Sequence, residues 1–322
     1  MSIEEIKIEQ LDVDKFVAEK TEEIRAAVGD GLAINALSGG VDSSAVTLLG
    51  HKALGDRLKT YFVDNGLMRE GEPQFVVDTF KELGVHVELV DAKEEFFAAL
   101  KGLSDPEEKR KIGITQTFYR DVFARIVKES GAKFLLQGTI LTDVEETMAG
   151  IKAQHNVLAQ MGIDTKDAYG YTVLEPVIQL RKPAVRLIAE ALGLPTTISQ
   201  RPPFPGPALT ARVIGEATPE RIELVRKATV IMENELAEVP HFQCMAILHE
   251  DRMTGIRDGK RDFGLQIEIR CWDTQDCVTA KPVRVPYDIL ERLADRLTSE
   301  VPGVVSVTYH VAKKPPSTME AV

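Results

Sequence analysis

The N-terminal part of the chain alternates helical and strand-like hydrophobic patterns. Apolar residues recur every three or four positions over 12–28, which predicts an amphipathic helix that ends at Gly29. Short apolar runs then predict strands at 32–37, 60–63, 85–90 and 133–136, and helical patterns lie between them near 43–53, 73–83 and 107–128. This alternation predicts an α/β fold, a parallel sheet with helices on both faces.

The pattern changes near residue 199. Four prolines lie within 201–207, and because proline cannot donate a backbone hydrogen bond, this segment is predicted to be an extended connector. Thr218 and Pro219 then start a helix, which is followed by strand, strand, helix and strand. We therefore predict two domains, an α/β domain over 1–198 and a smaller α+β domain over 199–322.

Two strands of the second domain show a period of two. Phe263, Leu265, Ile267, Ile269 and Cys271 alternate with Gly264, Gln266, Glu268 and Arg270, and the last strand places Val305, Val307, Tyr309 and Val311 on one face. Such alternation predicts strands with one buried apolar face and one polar face. Arg270 is then expected on the polar face, where it can either point at a ligand or be an exposed strand-face arginine.

The composition predicts a soluble, cytoplasmic protein. Of the 322 residues 44% are apolar, yet no run approaches the roughly 20 apolar residues of a membrane span, and the acidic N-terminus does not resemble a secretory signal. Cys244, Cys271 and Cys277 lack the paired spacing of a zinc site. We expect reduced thiols and no disulfide.

The net charge of −11 opposes binding to nucleic acid. Basic clusters at 109–111 and 313–314 are candidates for holding a small phosphate, although most such clusters are solvated surface.

The strongest chemical signal is the segment 38–44, Ser-Gly-Gly-Val-Asp-Ser-Ser, between a predicted strand and a predicted helix. Glycines allow backbone N–H groups to approach an anion, and the start of a helix favours negative charge. The segment lacks the Gly-Lys-Ser/Thr ending of a Walker loop. It predicts a phosphate-binding loop of another kind.

This loop resembles the pyrophosphate-binding motif of the N-type ATP pyrophosphatases, which have an adenine nucleotide alpha hydrolase-like fold. Further segments resemble, in the same order, the synthetase part of the GMP synthases: 62–67, 105–111, 137–139, 143–144, 151–152, 155–156, 174–176, 203–207, 286–288 and 314–316. The resemblance covers about 30–320. It implies that ATP adenylylates O2 of xanthosine monophosphate (XMP), pyrophosphate leaves, and ammonia displaces AMP to give GMP.

The resemblance also implies roles for individual residues. The expected ATP-binding residues are Ser38, Gly39, Gly40, Val41, Asp42, Ser43, Ser44, Val63, Asp64 and Gly138. The expected catalytic residues are Asp42, Asp143, Glu146 and Lys152, and the three acids among them are the expected Mg²⁺ ligands. Asp143 and Glu146 are three positions apart, a spacing that places them on one side of a helix.

For the acceptor nucleotide, the resemblance implies binding by Arg201, Gln243, Arg270, Lys314 and Glu320, and it implies dimerisation through the second domain. None of the cysteines lies in the Gly-x-Cys-x-Gly turn of a glutaminase, so ammonia is expected from a separate glutamine amidotransferase or from solution. Departures from the family pattern concentrate at the acceptor positions: Gln154, Pro183, Pro202, Ala321 and Val322.

Two alternatives stay open at this point. One is a related enzyme that adenylylates a different carbonyl for amide or sulfur transfer. The other is a non-catalytic nucleotide-binding protein, which the retained loop and acidic residues disfavour because binding alone does not require leaving-group chemistry.

Overall fold

The computed structural model describes residues 3–148, 170–257, 259–275 and 277–321. The helices within these residues are α1 Val13–Val28, α2 Val41–Leu54, α3 Glu72–Glu82, α4 Lys93–Leu100, α5 Pro106–Glu108, α6 Ala124–Ser130, α7 Leu141–Met148, α8 Lys182–Ala191, α9 Thr196–Ser199, α10 Pro219–Glu235 and α11 Tyr287–Glu300. The strands are β1 Ala33–Ala36, β2 Leu58–Asp64, β3 Val87–Asp91, β4 Phe134–Leu136, β5 Thr172–Leu174, β6 Gln243–Arg257, β7 Lys260–Asp273, β8 Lys281–Pro282 and β9 Val304–Tyr309.

Shorter elements complete the backbone. A π-helical stretch, Lys109–Phe123, joins α5 to α6, and 3-10 turns occupy Ile8–Gln10, Gly55–Arg57 and Ala208–Arg212. Among the described helices, none has the length and apolar character that crossing a membrane requires.

The chain forms two compact units. The first consists of 1–64, 72–91 and 118–201, and the second of 65–71, 92–117 and 202–322. Two short segments of the N-terminal half thus belong to the second unit. The boundary at residue 199 stays a prediction.

In the first unit, the described strands form a five-stranded sheet of order β3-β2-β1-β4-β5, and each neighbouring pair is parallel. Helices flank this sheet, as the alternating pattern predicted. The chain runs outward from β1 through β2 to β3 and then returns to place β4 on the other side of β1. A crevice for ligands forms at such a reversal, beyond the carboxyl ends of the strands.

Helix α2 carries the functional loop at its first turn and is buried on most of its surface. A Cβ built on Gly50 would lie only 2.5 Å from Leu136 and 2.9 Å from Leu58. Glycine at this position therefore allows α2 to approach β2 and β4 closely. The close packing fixes the start of the helix relative to the ends of the central strands.

The second unit is built on an antiparallel ribbon of β6 and β7. At the opposite edge of β7, the strand pairs antiparallel with β8 and parallel with β9. Helix α10 packs against β6, and α11 packs against β9 and α10. The predicted order of helix, strand, strand, helix and strand is confirmed, with the two-residue β8 in addition.

The alternation in β7 predicted the burial of one face only. On the apolar face Ile267, Ile269 and Cys271 are buried as predicted, with exposures of 0%, 0% and 1%. The polar residues Gln266 and Glu268 are also buried, with exposures of 9% and 8%, because the C-terminal segment contacts this face of the strand. Two apolar residues of the predicted pattern are exposed: Phe263 is 58% exposed, and Val311, which lies beyond the end of β9, is 78% exposed.

Lys109 is not a surface cation, contrary to the expectation for a phosphate-binding cluster. Its side chain is 2% exposed, and Nζ donates hydrogen bonds to the carbonyls of Val213 at 2.6 Å and Gly215 at 3.0 Å. Burial lowers the pKa of this ammonium group to about 8. Lys109 therefore anchors the segment that follows Ala208–Arg212.

Two of the three thiols are not free, contrary to the expectation of reduced cysteines. Cys244 and Cys271 face each other in the β6–β7 register and are joined by a disulfide, with a Cα–Cα distance of 4.1 Å. Cys277 is exposed and is not in a disulfide. Spacing along the chain could not predict this pair because the strand register brings the two residues together.

Candidate functional site

The Ser38–Ser44 loop lies between β1 and α2, at the reversal point of the sheet. Ser43 Oγ lies 2.9 Å from Ser38 Oγ, accepts a hydrogen bond from the Ser38 amide at 3.2 Å and donates one to the Gly40 carbonyl at 3.0 Å. These bonds within the loop fix its curvature. Hydrogen bonds of the loop itself therefore contribute to the shape that an anion-binding loop requires.

Two backbone features open this loop toward an anion. Gly39 has φ of +77°, and a Cβ at this position would lie 3.0 Å from Val76, so a larger residue would be strained and crowded. Gly40 is the N-cap of α2 and has no side chain to cap the first N–H groups of the helix. Those N–H groups and the helix dipole can then act on a phosphate.

Gly138 follows β4 and packs against the same helix start. A Cβ on Gly138 would lie 3.0 Å from both the carbonyl carbon of Asp42 and the amide nitrogen of Ser43. Only glycine fits without displacing the backbone of the loop. The structure thus places Gly138 at the loop, where the sequence predicted it.

Asp42 lies in the first turn of α2, and one of its carboxylate oxygens lies 3.3 Å from Lys182 Nζ. Burial raises the pKa of the Asp42 carboxyl above its ordinary value, and the nearby charge of Asp143 raises it further, while Lys182 and Arg186 act in the opposite direction. The other oxygen, Oδ1, is buried without a hydrogen-bond partner. An oxygen in this state fits a cation that arrives with the ligand.

Asp143 and Glu146 both lie on α7, as their spacing predicted. Asp143 accepts a hydrogen bond from the Ile140 amide at 3.1 Å, and Glu146 is half-buried. Together with Asp42 they are the predicted Mg²⁺ ligands, and the buried Oδ1 of Asp42 is the observation that fits a metal here. Lys152 lies outside the described residues.

Val63 and Asp64 end β2, next to β1 in the sheet. Both are buried, with exposures of 8%. They lie at the carboxyl edge of the sheet, where the loop after β1 also begins.

A second group of predicted residues lies in the second unit. Gln243 Nε2 donates hydrogen bonds to Glu320 Oε1 and to the Pro203 carbonyl, each at 3.0 Å. Arg212, which is 1% exposed, has its Nε 4.0 Å from Glu320 Oε2. The guanidinium of Arg212 also lies 4.9 Å from the centre of the Phe204 ring. These contacts bring an amide, a carboxylate and an arginine together beside an aromatic ring.

Glu320 is the most perturbed acid of this group. Burial raises the pKa of its carboxyl, and the charge of Arg212 and the hydrogen bond from Gln243 partly oppose that effect. Oε2 is buried without a hydrogen-bond partner. The carboxyl group therefore retains the capacity to bind a polar group of a ligand.

Arg270 is held within the chain rather than extended toward solvent. Its Nε donates to Glu268 Oε1 at 2.7 Å, and an Nη donates to the carbonyls of Thr318, Met319 and Glu320 at 3.1 to 3.4 Å. Arg270 thus fixes the segment that carries Glu320. Direct contact between Arg270 and a ligand stays a prediction.

The remaining predicted acceptor residues lie elsewhere. Lys314 Nζ donates to the Cys277 carbonyl at 2.6 Å, within the second unit. Arg201 belongs to the first unit, where it forms an ion pair with the buried Glu72 at 2.7 Å. The structure brings Gln243 and Glu320 into direct contact and ties Arg270 to the same segment.

Known proteins resemble this chain over nearly its whole length. A subunit of the glutamine-hydrolysing GMP synthase of Archaeoglobus fulgidus is 49% identical over 310 residues, which is 96% of this chain and 99% of that protein. The corresponding subunits of Pyrococcus furiosus and Methanocaldococcus jannaschii are 46% and 43% identical, over 95% and 96% of this chain and 97% and 99% of those proteins.

This chain belongs to the family of these GMP synthase subunits. Two family models agree with this assignment, since NAD synthase matches residues 12–209 and the GMP synthase C-terminal domain matches residues 231–321. The resemblance to ATP pyrophosphatases and GMP synthases is confirmed.

Sequence reasoning missed several residues of this GMP synthase family member. Lys182, the partner of Asp42, is the first residue of α8, and its only local signal is the proline that follows it. Phe204 lies within the segment 203–207 that resembles the family, but its contact with Arg212 had no signal in the sequence. Lys182 and Arg212 contact Asp42 and Glu320, which are remote in sequence, so local patterns could not identify these pairs.

Proposed function

We propose that this chain uses ATP to adenylylate O2 of XMP, and that ammonia then displaces AMP from C2 to give GMP. The observation that carries the proposal is the Ser38–Ser44 loop, whose hydrogen bonds and open helix start suit a phosphate group at the reversal of a parallel sheet. Membership of the GMP synthase family supports the choice of reaction.

In this proposal the loop binds the pyrophosphate that leaves ATP. The N–H groups at the start of α2 and the hydroxyls of Ser38, Ser43 and Ser44 bind its oxygens, and the cation of Lys182 lies nearby through its contact with Asp42. Val63, Asp64 and Gly138 shape the same pocket. These groups stabilise negative charge that grows as the bond between the α- and β-phosphates breaks.

We propose that Asp42, Asp143 and Glu146 hold Mg²⁺ when ATP is bound. The ion would neutralise phosphate charge and favour departure of pyrophosphate. Asp42 supplies a buried oxygen that has no partner in the described chain. Lys152 is proposed to add positive charge to the same phosphates.

For the acceptor, we propose that Gln243 and Glu320 bind the purine base. Arg201, Arg270 and Lys314 are proposed to bind the phosphate of the acceptor or to hold the chain segments that bind it. The paired amide and carboxyl groups offer a donor and an acceptor, which a xanthine edge can match. Because Arg270 holds the backbone of the segment with Glu320, its contribution includes positioning that carboxyl group.

The relatives are each named as one subunit of a glutamine-hydrolysing enzyme. We propose accordingly that a separate glutamine amidotransferase supplies ammonia to this chain, that the chain forms a homodimer, and that it works in the cytoplasm.

Product analysis tests the proposed reaction. The purified chain with ATP, Mg²⁺, XMP and ammonium is expected to form AMP, pyrophosphate and GMP in equal amounts, and to form none with glutamine in place of ammonium. Formation of ADP and phosphate would contradict cleavage between the α- and β-phosphates. Absence of pyrophosphate with every acceptor would favour a non-catalytic nucleotide-binding protein.

A different acceptor is the second candidate, because the departures from the family pattern lie at acceptor positions, among them Pro202 and Ala321. A panel of purine monophosphates in the same assay separates the two. If AMP and pyrophosphate form with another nucleotide but not with XMP, the chain is an adenylylating enzyme with another substrate.

A further inference from the structure

A cluster of potential metal ligands lies in the second unit, on residues assigned neither to ATP nor to the acceptor, with Cys244 directly after Gln243 and Cys271 directly after Arg270 in the chain. His241 precedes β6, Cys244 is the second residue of β6, and Cys271 lies near the end of β7. A ring nitrogen of His241 and the two sulfur atoms lie within 4.8 Å of one another. Within the described residues, this is the one such group of histidine, cysteine or acidic side chains.

The strand register holds the two sulfur atoms on one face of the ribbon. Cys244 and Cys271 are directly opposite each other, with their Cα atoms 4.1 Å apart. When the disulfide is reduced, both thiols remain side by side because the backbone pairing fixes their positions. Two thiolates in this arrangement can share one ion at the Zn–S distance of about 2.3 Å.

One ring nitrogen of His241 is available to a ligand. Its Nδ1 lies 2.6 Å from the Val239 carbonyl oxygen, and since a carbonyl only accepts, Nδ1 carries the proton. In that tautomer Nε2 has the free lone pair that a metal requires. A backbone carbonyl that accepts from the other ring nitrogen is the usual support of a metal-binding histidine.

The site has a route for an ion and for water. His241 lines an open cavity of about 610 Å³ together with Asp273, Thr274 and Lys281. Of the three proposed ligands His241 lines this cavity, so an ion can approach the site from the His241 side. Ligands of a tetrahedral zinc ion lie roughly 3.3 to 3.8 Å apart, so after reduction the two sulfur atoms must move apart and the ring nitrogen of the half-buried His241 must move closer, both by side-chain rotation.

We propose that the dithiol form of this chain binds one Zn²⁺ through Cys244, Cys271 and His241. Two thiolates and an imidazole are the ligands that a thiophilic divalent cation prefers. The disulfide form lacks both thiolates and cannot bind the ion in this way. The site links the start of β6 to the end of β7.

Metal titration of the intact chain tests this site. Protein reduced with a phosphine and freed of metal is titrated with Co²⁺ and followed by its thiolate-to-cobalt charge-transfer absorption, and Zn²⁺ is then added in competition. We expect one Co²⁺ per chain, displaced by one Zn²⁺, and a higher melting temperature with the metal. The disulfide form is expected to give no charge-transfer absorption.

Variants identify the ligands. Cys244→Ser and His241→Ala each remove a proposed ligand and are expected to weaken Zn²⁺ binding by more than about 100-fold. Loss of a residue that only supports a ligand typically weakens metal binding by about 10- to 100-fold. Cys277→Ser is the matched control, because this exposed thiol lies outside the cluster, and it should bind as the wild type does. Circular dichroism of each variant verifies folding before titration.

The proposal is overturned if the reduced wild type shows no cobalt–thiolate absorption. It is equally overturned if Cys244→Ser binds as tightly as the wild type, if Cys277→Ser abolishes binding, or if the disulfide form binds equally well.

Discussion

Asp42 combines a loop position with a buried charge. Its folded pKa is raised mainly by burial, so the native state binds a proton more tightly than the unfolded chain does. The free energy of unfolding therefore falls as the pH rises from the unfolded pKa of 3.8 through the folded pKa, and the charged carboxylate destabilises the native state at neutral pH. A loss of folding stability of this kind is expected at a residue whose charge is needed for function, as we propose for Asp42.

Asp42→Asn is accordingly expected to raise the melting temperature at pH 7 and to lose this advantage below pH 3.8. Loss of the proposed metal-binding oxygen should lower the rate of pyrophosphate release by about a hundredfold, by analogy with removal of one preorganised group. Calorimetry at both pH values and an initial-rate assay measure the two effects. Asp56→Asn, the same change at an exposed position, is the control and should alter neither the melting temperature nor the rate. A clearly lower melting temperature of Asp42→Asn at pH 7 would refute the inference that the charge of Asp42 destabilises the native state.

Strand β7 carries a buried ionic network on the face that alternation predicted to be open. Glu268 accepts hydrogen bonds from Arg270 Nε and His249 Nε2, each at 2.7 Å, and lies 3.0 Å from His310 Nδ1. Burial alone would raise the pKa of Glu268, but the hydrogen bonds from His249 and Arg270 outweigh it and lower the pKa to about 2. The charged form therefore links β6, β7 and the residues after β9.

The lowered pKa predicts acid sensitivity. The contribution of Glu268 is fully present above its unfolded pKa of 4.5 and is lost as the pH falls toward 2, which corresponds to about 3 kcal/mol. Glu268→Gln should lose a similar amount at pH 7 and change little more between pH 4.5 and 2. Urea unfolding across this range measures it, with the exposed Glu291→Gln as the control. An unchanged urea midpoint for Glu268→Gln at pH 7 would contradict the assignment.

The same strand shows what sequence patterns can and cannot predict. Apolar runs located β1 to β4 to within about two residues because each run is short and bounded by polar or helical segments. The Ser38–Ser44 loop was recognised because its proposed role depends on consecutive residues. The partners of Glu268, Lys109 and Asp42 were not predicted, since each comes from a distant segment that the fold brings into contact. Alternation indicates which side chains share a face, but not what covers that face.

At the scale of the whole molecule, the proposed homodimer has a physical basis in the exposed apolar residues of the second unit. Ile256 and Phe263, at the tip of the β6–β7 ribbon, are 81% and 58% exposed, and Val278 and Val311 are 69% and 78% exposed. Ile256 and Phe263 share one face of the ribbon, because Phe263 is paired with Thr254, two residues before Ile256, and such exposed apolar side chains mark a candidate interaction site. A second copy of the chain could bury these two side chains through a symmetric, self-complementary contact.

Light scattering coupled to size-exclusion chromatography tests the dimer. A monomer has a mass of 35.6 kDa, so a dimer is expected at twice that value, 71.2 kDa. Replacing Ile256 and Phe263 together by Glu should shift the chain toward the monomer, because two charges at a buried contact must be desolvated. Leu89→Glu, at a half-exposed position of the first unit, should leave the mass unchanged. A wild-type monomer at micromolar concentration would exclude the dimer, and a double variant that remains dimeric would exclude the ribbon tip from the interface.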